Sequence, residues 1–296
     1  MNAASFVFSV LKPRTTGPLV AALALALATP AFAHRVEKRF QVDVRPMINV
    51  RNDHGRVTVK SWKKSEVLIV ANHTSNRMEV DAQQAGNRID VITHRLEENI
   101  PATEQRAEYD IIVPEDSELQ IRTDSGSVYV ERVFGDMTFD TVMADVELQE
   151  VSGYLVIKTI SGSFVCVRCA GPRLEITTVS GYVRLLQPVS SNVRVRTTTG
   201  DIFFNGDFLR GGNYLLKTGS GKIDVVFSDT DSVELLANTI YGKLDKDPNL
   251  TLRPPAHNRR STAPKGAQSI LGTFNEGLAR VELSSFNGTI TLRRRE

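Results

Sequence analysis

The chain has 296 residues, 41% hydrophobic and 24% charged, with a formal net charge of +2; that length holds one or two domains and can bury a sizeable core. Lys12 and Arg14 fall in the first 33 residues with no acid among them, so the remainder carries equal numbers of basic and acidic residues. That balance excludes a nucleic-acid binder working through a global basic field, and many β-branched residues, few Met and no long helical period point to an all-β protein.

The first segment predicts an export signal. Lys12 and Arg14 precede an apolar run over 19–28, followed by Thr29, Pro30 and the triplet Ala31, Phe32, Ala33. This pattern predicts a signal peptide over 1–33, cleaved after Ala33. The apolar run is shorter than the ~20 residues a spanning helix needs. No later stretch is apolar enough to span a bilayer as a helix, and no Cys follows the signal to accept a lipid. The expected setting is periplasmic, extracellular or cell-surface.

Residues 34–116 predict an N-terminal β region. Within it, Ile48, Val50, Asn52, Gly55, Val57 and Val59 form a first coil. Strand patterns follow over 67–71, 78–82, 89–93 and 107–113, with Ala85, Gly86 and Asn87 as a hairpin loop and Pro114 as a stop. This hairpin insert is expected to cover one end of a stack, because an open strand edge invites pairing with other chains.

Over 117–246 one phrase repeats with its turn at Gly126, Ala144, Gly162, Gly181, Gly200, Gly221 and Gly242, a spacing of about 18 to 21 residues that suits solenoid coils. Three residues earlier stands Thr123, Thr141, Thr159, Thr178, Thr197, Thr218 or Thr239. Apolar residues alternate on both sides, such as Ile157, Ile176 and Val195 before the turn and Phe164, Val183 and Ile202 after it. Each copy therefore makes two short strands with one apolar face. One copy cannot bury that face, and stacked copies can. The prediction is a β-solenoid, right-handed and β-helix-like, of about seven to nine short coils. Residues 247–272, with Pro254, Pro255, Arg259, Arg260, Pro264 and Gly266, read as an exposed loop. Over 273–296 the phrase returns as Val281, Leu283, Ser285, Gly288, Ile290 and Leu292, and Arg293, Arg294 and Arg295 are expected to blunt a terminal edge.

The copies Thr-Asp-Ser-Gly-Ser-Val at 123–128, Thr-Ile-Ser-Gly-Ser-Phe at 159–164 and Thr-Val-Ser-Gly-Tyr-Val at 178–183 resemble the exported bacterial β-strand-repeat proteins labelled as adhesins. So do Val113 with Pro114 and the closing Phe286, Asn287, Gly288, Thr289 and Ile290. The resemblance implies a β-helix-like fold in the envelope or outside the cell, and it supplies no catalytic residues.

The residues themselves point to binding rather than catalysis. The Thr column shares the apolar face, so its hydroxyls are expected to bond backbone near the turn rather than form an outward ice-binding array. Ser125, Ser161, Ser180 and Ser220 are expected to close turns. All five His, at 34, 54, 73, 94 and 257, lie outside the regular copies, so no nucleophile and base pair emerges by spacing. Asn52, Asp53, His54, Gly55 reads as a turn. The outward acids Asp140, Asp145, Glu147, Asp201 and Asp224 do not converge, and Asp145 with Glu147 reads as a solvated edge. Neither catalytic, metal nor cofactor residues are assigned.

Cys166 and Cys169 occupy inward columns, as two buried thiols or as a local disulfide where the bend brings their Cα atoms to about 6 Å. Val165, Val167, Tyr182, Leu186, Phe203 and Val226 make an outward apolar cluster that wants cover. The expected cover is the N-terminal insert or the return over 272–280, with a partner protein as the second choice. Arg122, Lys158, Arg194, Arg196 and Lys217 form an outward basic stripe interrupted by Asp140 and Glu175. It reads first as a charge-mixed solvated face and second as a seat for anionic glycan or lipid head groups. The leading functional expectation is a non-enzymatic adhesin or envelope scaffold with an envelope or extracellular protein or glycan as partner and no nucleic acid. The competing one is a polysaccharide-active β-helix lyase or hydrolase.

Overall fold

A computed structural model describes residues 34–101, 104–255, 264 and 266–295. The predicted export signal lies outside these residues, as do 256–263 of the predicted loop with His257, Arg259 and Arg260.

The described chain is all-β, one mostly parallel sheet of 22 strands wrapped around an apolar axis. Three long strands cross both sides of the wrap: β2 (Met47–Trp62), β7 (Glu118–Glu131) and β8 (Met137–Gln149), where β1 is His34–Gln41, β3 Glu66–His73, β4 Met78–Ala85, β5 Arg88–Arg95 and β6 Ala107–Pro114. Thereafter each layer splits into two strands. On one side run β9 (Ser152–Thr159), β11 (Ala170–Thr178), β14 (Asn192–Thr197) and β16 (Asn213–Thr218). On the other run β10 (Phe164–Val167), β12 (Val183–Leu186), β15 (Ile202–Asn205) and β17 (Ile223–Phe227), with the two-residue β13 (Val189–Ser190) at the far bend.

The parallel register aligns the repeat letter by letter. Ile157 pairs with Ile176 and Ile176 with Val195; Phe164 pairs with Val183 and Val183 with Ile202. These residues form inward columns, all nearly inaccessible to solvent. At the corner between the sides, glycine is required by two constraints. Gly181 has φ 122°, and a Cβ on it would strike the carbonyl oxygen of Gly162 in the layer before. The first copies differ from the expectation of two strands and a turn: β2, β7 and β8 bend at Gly55, Gly126 and Ala144 without breaking.

The Thr hydroxyls bond backbone at the corner, as their inward position requires. Thr159 and Thr178 each donate to the carbonyl two residues on, at 2.7 Å. Thr197 and Thr218 instead accept the amide N–H of Gly200 and Gly221 at 2.8 and 2.9 Å. In the first layer the longer Asn52 replaces Thr. Its amide donates to the Ala107 carbonyl at 3.0 Å and accepts Thr93 at 3.1 Å, and Thr93 in turn meets the Tyr109 hydroxyl.

At the N-terminal end β5 and β6 both add to β2 in parallel, β4 pairs β5, β3 pairs β6 and β1 pairs β3, the last three antiparallel. The β4–β5 hairpin turns at Gly86, φ 63°. The C-terminal end departs from chain order. β18 (Val233–Thr239) and β19 (Leu244–Lys246) lie one layer beyond their expected place, and β20 (Gln268–Phe274) folds back antiparallel on β18. The closing strands β21 (Ala279–Ser285) and β22 (Ile290–Arg294) fill the layer between. Tyr214 pairs with Val281 and Val281 with Leu235, while Ile223 pairs with Ile290 and Ile290 with Leu244.

The closing arginines therefore do not blunt a terminal edge. β22 is flanked by β17 and β19, and the closing arginines reach down onto the layers below: Arg293 to Asp224, Arg294 to Asp229 and, two layers down, Arg295 to Asp207. Beneath them, Phe208 stacks on Phe204 at 4.9 Å between ring centroids and meets Tyr214 edge-on at 4.7 Å. The Tyr214 hydroxyl accepts the Leu209 N–H at 2.8 Å and donates to the Ser190 carbonyl at 2.9 Å.

Two outcomes test this core. Val183 is 1% exposed, and burying such a side chain contributes about 1.5–3 kcal/mol. Val183→Asp forfeits that and leaves an unpaired charge inside, so its urea midpoint is expected to collapse; near-wild-type unfolding would remove the inward assignment. The second concerns pH. Burial pushes the Tyr109 and Tyr214 hydroxyls from 10.0 up to about 12. The unfolded chain releases these protons first, so the stability they contribute is complete below pH 10 and lost as the pH rises towards 12, by about 1.4 kcal/mol per pH unit for each. Urea unfolding of Tyr109→Phe across that window is expected to show a shallower decline than the parent.

Candidate functional site

The outward apolar cluster is brought only partly together. Val167 pairs with Leu186, and Val165 is separated from Phe203 by Arg184 on the strand between. Val226 lies two strands from Leu186, beyond Asn205, and Tyr182 stands apart at 40% exposure. Neither the insert nor the return covers these residues, contrary to expectation, because the insert pairs β2 and the return pairs β18. Part of the cover comes from arginine stems. The Arg184 and Arg293 guanidinium groups sit 5.6 and 6.0 Å from the Phe203 ring centre, which shields the ring while leaving the charges in water.

Most outward acids have structural partners. Asp145 accepts both the amide and the hydroxyl of Ser163 at 2.7 Å, and Asp201 accepts the Lys222 amide at 2.7 Å. Each carboxylate thus satisfies a backbone donor of the next layer at a bend. Asp140 meets Arg122 at 3.5 Å, and the nearly buried Asp224 is held by Lys222 and Arg293. Among the described residues no three His, Cys, Asp or Glu side chains converge in a way that would hold a metal, and no helix is long and apolar enough to cross a membrane.

One contact escaped the reading by spacing. His54 Nδ1 lies 2.6 Å from Ser125 Oγ, 71 residues away in sequence. Gly55 and Gly126 are in register, so aligning the first copy onto the second places His54 and Ser125 in one column. His73 bonds the Ser75 carbonyl and stacks on His34, and His94 borders a hollow of about 550 Å³ with Arg51 and Asp90.

One concavity follows the bend across the first layers. It encloses about 410 Å³. Its floor is Asn52, Thr123, Thr141 and Thr159; one wall is Arg51, Arg122, Asp140 and Lys158, neighbours in register, and the other is Asp53, Asp124, Val142 and Ile160. Asp53 is tied to Arg95 at 2.9 Å. Arg51, Lys158 and Asp124 make no ion pair among the described residues. Thr141 is 6% exposed, and its inward hydroxyl has no partner among the described residues. The basic stripe of the sequence thus divides: Arg122 and Lys158 line this groove, whereas Arg194, Arg196 and Lys217 lie further along the stack, Lys217 paired with Glu282 at 3.0 Å.

Cys166 and Cys169 are bonded to each other, with Cα atoms 5.9 Å apart and both residues buried. Arg168 between them takes φ 51°, and Arg132, Glu150 and Gln187 take similar positive values at the same bend of neighbouring layers. Alkylation of the unfolded, unreduced protein is expected to add no label, and two labels after reduction; labelling without reductant would establish free thiols instead.

No characterised protein matches the sequence closely enough to be named as a relative. Two crystal structures align with this chain at low similarity. A "putative cell adhesion protein" from Clostridium sporogenes is 10% identical with a TM-score of 0.31, over 89% of this chain and 100% of that one. A "putative adhesin" from Bacteroides fragilis is 10% identical with a TM-score of 0.44, over 88% of this chain and 97% of that one. Residues 47–293, which hold both the bend and the groove, match the family described as Toastrack DUF4097, and the chain belongs to that family.

Proposed function

We propose that this chain is a non-enzymatic, exported β-solenoid of about seven to nine right-handed coils that serves as a rigid binding surface, an adhesin or a scaffold of the cell envelope. The observation that carries the reading is the fate of the outward acids. Asp145 and Asp201 hold backbone amides of the next layer, and Asp140 and Asp224 hold cations, so these four carboxylates are engaged in the stack rather than paired for acid–base work on a glycosidic bond. What remains exposed is a set of side-chain columns repeating at the strand spacing of about 4.8 Å, an arrangement suited to an extended ligand contacted at several layers. The basic and apolar leader over 1–33 supports export, and the names of the two similar structures agree with an adhesive role.

The His54–Ser125 contact favours a second reading, a hydrolase with Ser125 as nucleophile. A working nucleophile needs its base oriented by a third group. Here His54 has Ser125 as its one hydrogen-bond partner among the described residues.

Both readings are tested together by immobilising the protein over a glycan array and an envelope extract, and by exposing it to a fluorophosphonate probe. Saturable capture that survives Asp145→Asn and Asp201→Asn, with no label at Ser125, is expected. Labelling that vanishes in His54→Ala, or depolymerisation of a captured glycan, would replace the scaffold by an enzyme.

A further inference from the structure

We infer that His34, as the first residue of the exported chain, forms a site for a single copper(II) ion together with His73 opposite it. The inference rests on the export proposed above, since cleavage after Ala33 leaves His34 with a free α-amino group. Three nitrogen donors then meet at one strand end: that amine, the His34 imidazole and the His73 imidazole.

The fold supplies the juxtaposition. β1 begins at His34 and runs antiparallel to β3, which ends at His73, and the two residues are direct partners in the register. Their side chains share a face, with ring centroids 5.2 Å apart and planes inclined by 15°. Two nitrogens bound to one ion at about 2 Å each lie no more than ~4 Å apart, a separation that a turn of one ring supplies from this arrangement. His34 is the ring with freedom to turn. It is exposed, and it makes no hydrogen bond or ion pair among the described residues.

His73 is oriented as a ligand by the protein itself. It is 6% exposed, and its Nδ1 lies 2.8 Å from the Ser75 carbonyl oxygen. A carbonyl only accepts, so Nδ1 carries the proton and the neutral ring keeps its lone pair on Nε2. Nε2 meets no hydrogen-bond partner among the described residues. Ser75 is held in turn, its hydroxyl donating to Glu104 at 3.1 Å. Outer contacts of this kind fix the tautomer and ring orientation of metal-binding histidines.

The donor set selects the ion. The α-amine and Nδ1 of one histidine close a chelate ring on a metal, and His73 Nε2 adds a third nitrogen, with no thiolate or carboxylate in the set. Calcium and magnesium call for oxygen ligands. Copper(II) binds nitrogen sites more tightly than nickel(II) or zinc(II), and it takes the tetragonal arrangement that three nitrogens and a water complete.

The test is to produce the full chain in a bacterium that exports it, read its first residue by mass spectrometry, strip it with a chelator and titrate it with copper(II). One equivalent is expected to bind, with an axial electron paramagnetic resonance spectrum split by nitrogen, and zinc(II) at least tenfold more weakly. His34→Ala and His73→Ala are each expected to weaken copper at least tenfold, whereas His94→Ala leaves it unchanged. His73 is buried and its loss can disturb folding, so the deciding variant leaves both rings in place. A retained Gly-Ser extension ahead of His34 removes the amine from the site, and it is expected to cost at least tenfold in affinity with the melting temperature unchanged. Copper affinity indifferent to His34→Ala or to the extension would overturn the inference. A chain that begins at His34 and binds no copper would overturn it alone and leave export standing; a chain that begins elsewhere would overturn it together with the cleavage on which it rests.

Discussion

The structure depends on flush stacking of backbone at one corner. There each layer lays its glycine against a carbonyl of the layer before, with no room for a side chain: Gly181 on Gly162, Gly200 on Gly181, Gly221 on Gly200. A slip of one residue would put a Cβ into that contact and turn every inward side chain outward. Register is therefore fixed twice, by sterics at the bend and by burial along the strands. Columns such as Ile157, Ile176 and Val195 are the consequence, and once the columns exist the layers become interchangeable units with matching upper and lower faces.

Interchangeability explains the unusual C-terminal order. Gly288 lies against the carbonyl of Gly221, and Gly242 against that of Gly288, although Gly242 comes first in the chain. The layer of β18 and β19 is held one place out by its antiparallel partner β20, and β21 with β22 completes the stack from inside. This last layer contributes both a row of hydrogen bonds on each side and a set of ion pairs onto its neighbour. Asp224 is only 7% exposed, so the Arg293 guanidinium that reaches it compensates a charge that would otherwise be costly to bury. The three closing arginines lock an inserted strand rather than guard an open edge.

Much of this was legible in the letters, because a repeat writes the same burial pattern many times and its inward columns can be read by alignment alone. Cys166 and Cys169 fell where Val and Leu stand in other copies, and both are buried. What alignment does not encode is which copy neighbours which. Val281 matches Leu235 and Tyr214 equally well as a template, so the order of the last layers depends on β20, whose antiparallel pairing lies outside the repeat. The cover over Phe203 was also illegible, since it comes from arginine stems three layers apart rather than from a separate segment. The His54–Ser125 contact was legible in principle, but only by superposing the divergent first copy on the regular ones.

A repeat protein acquires a distinctive site where its repeat is imperfect, and here the imperfection has a physical sequence of causes. Layers after β8 break into two strands at a glycine corner, whereas β2, β7 and β8 bend without breaking. β8 is the last of these continuous strands and carries Ala144 in place of glycine, without the positive φ of Gly126 before it or Gly162 after it. In those two neighbours the corner backbone turns a carbonyl, Ser125 or Ser161, towards the Thr hydroxyl. At Ala144 it does not, and Thr141 meets no acceptor among the described residues. The outward row changes at the same level: Asp53 and Asp124 give way to Val142 and Ile160, and Asp140 stands between Arg51 and Arg122 on one side and Lys158 on the other. Charged and apolar groups line one concavity because two versions of the same layer are joined there, and the chemical variety that the regular layers lack follows from that junction.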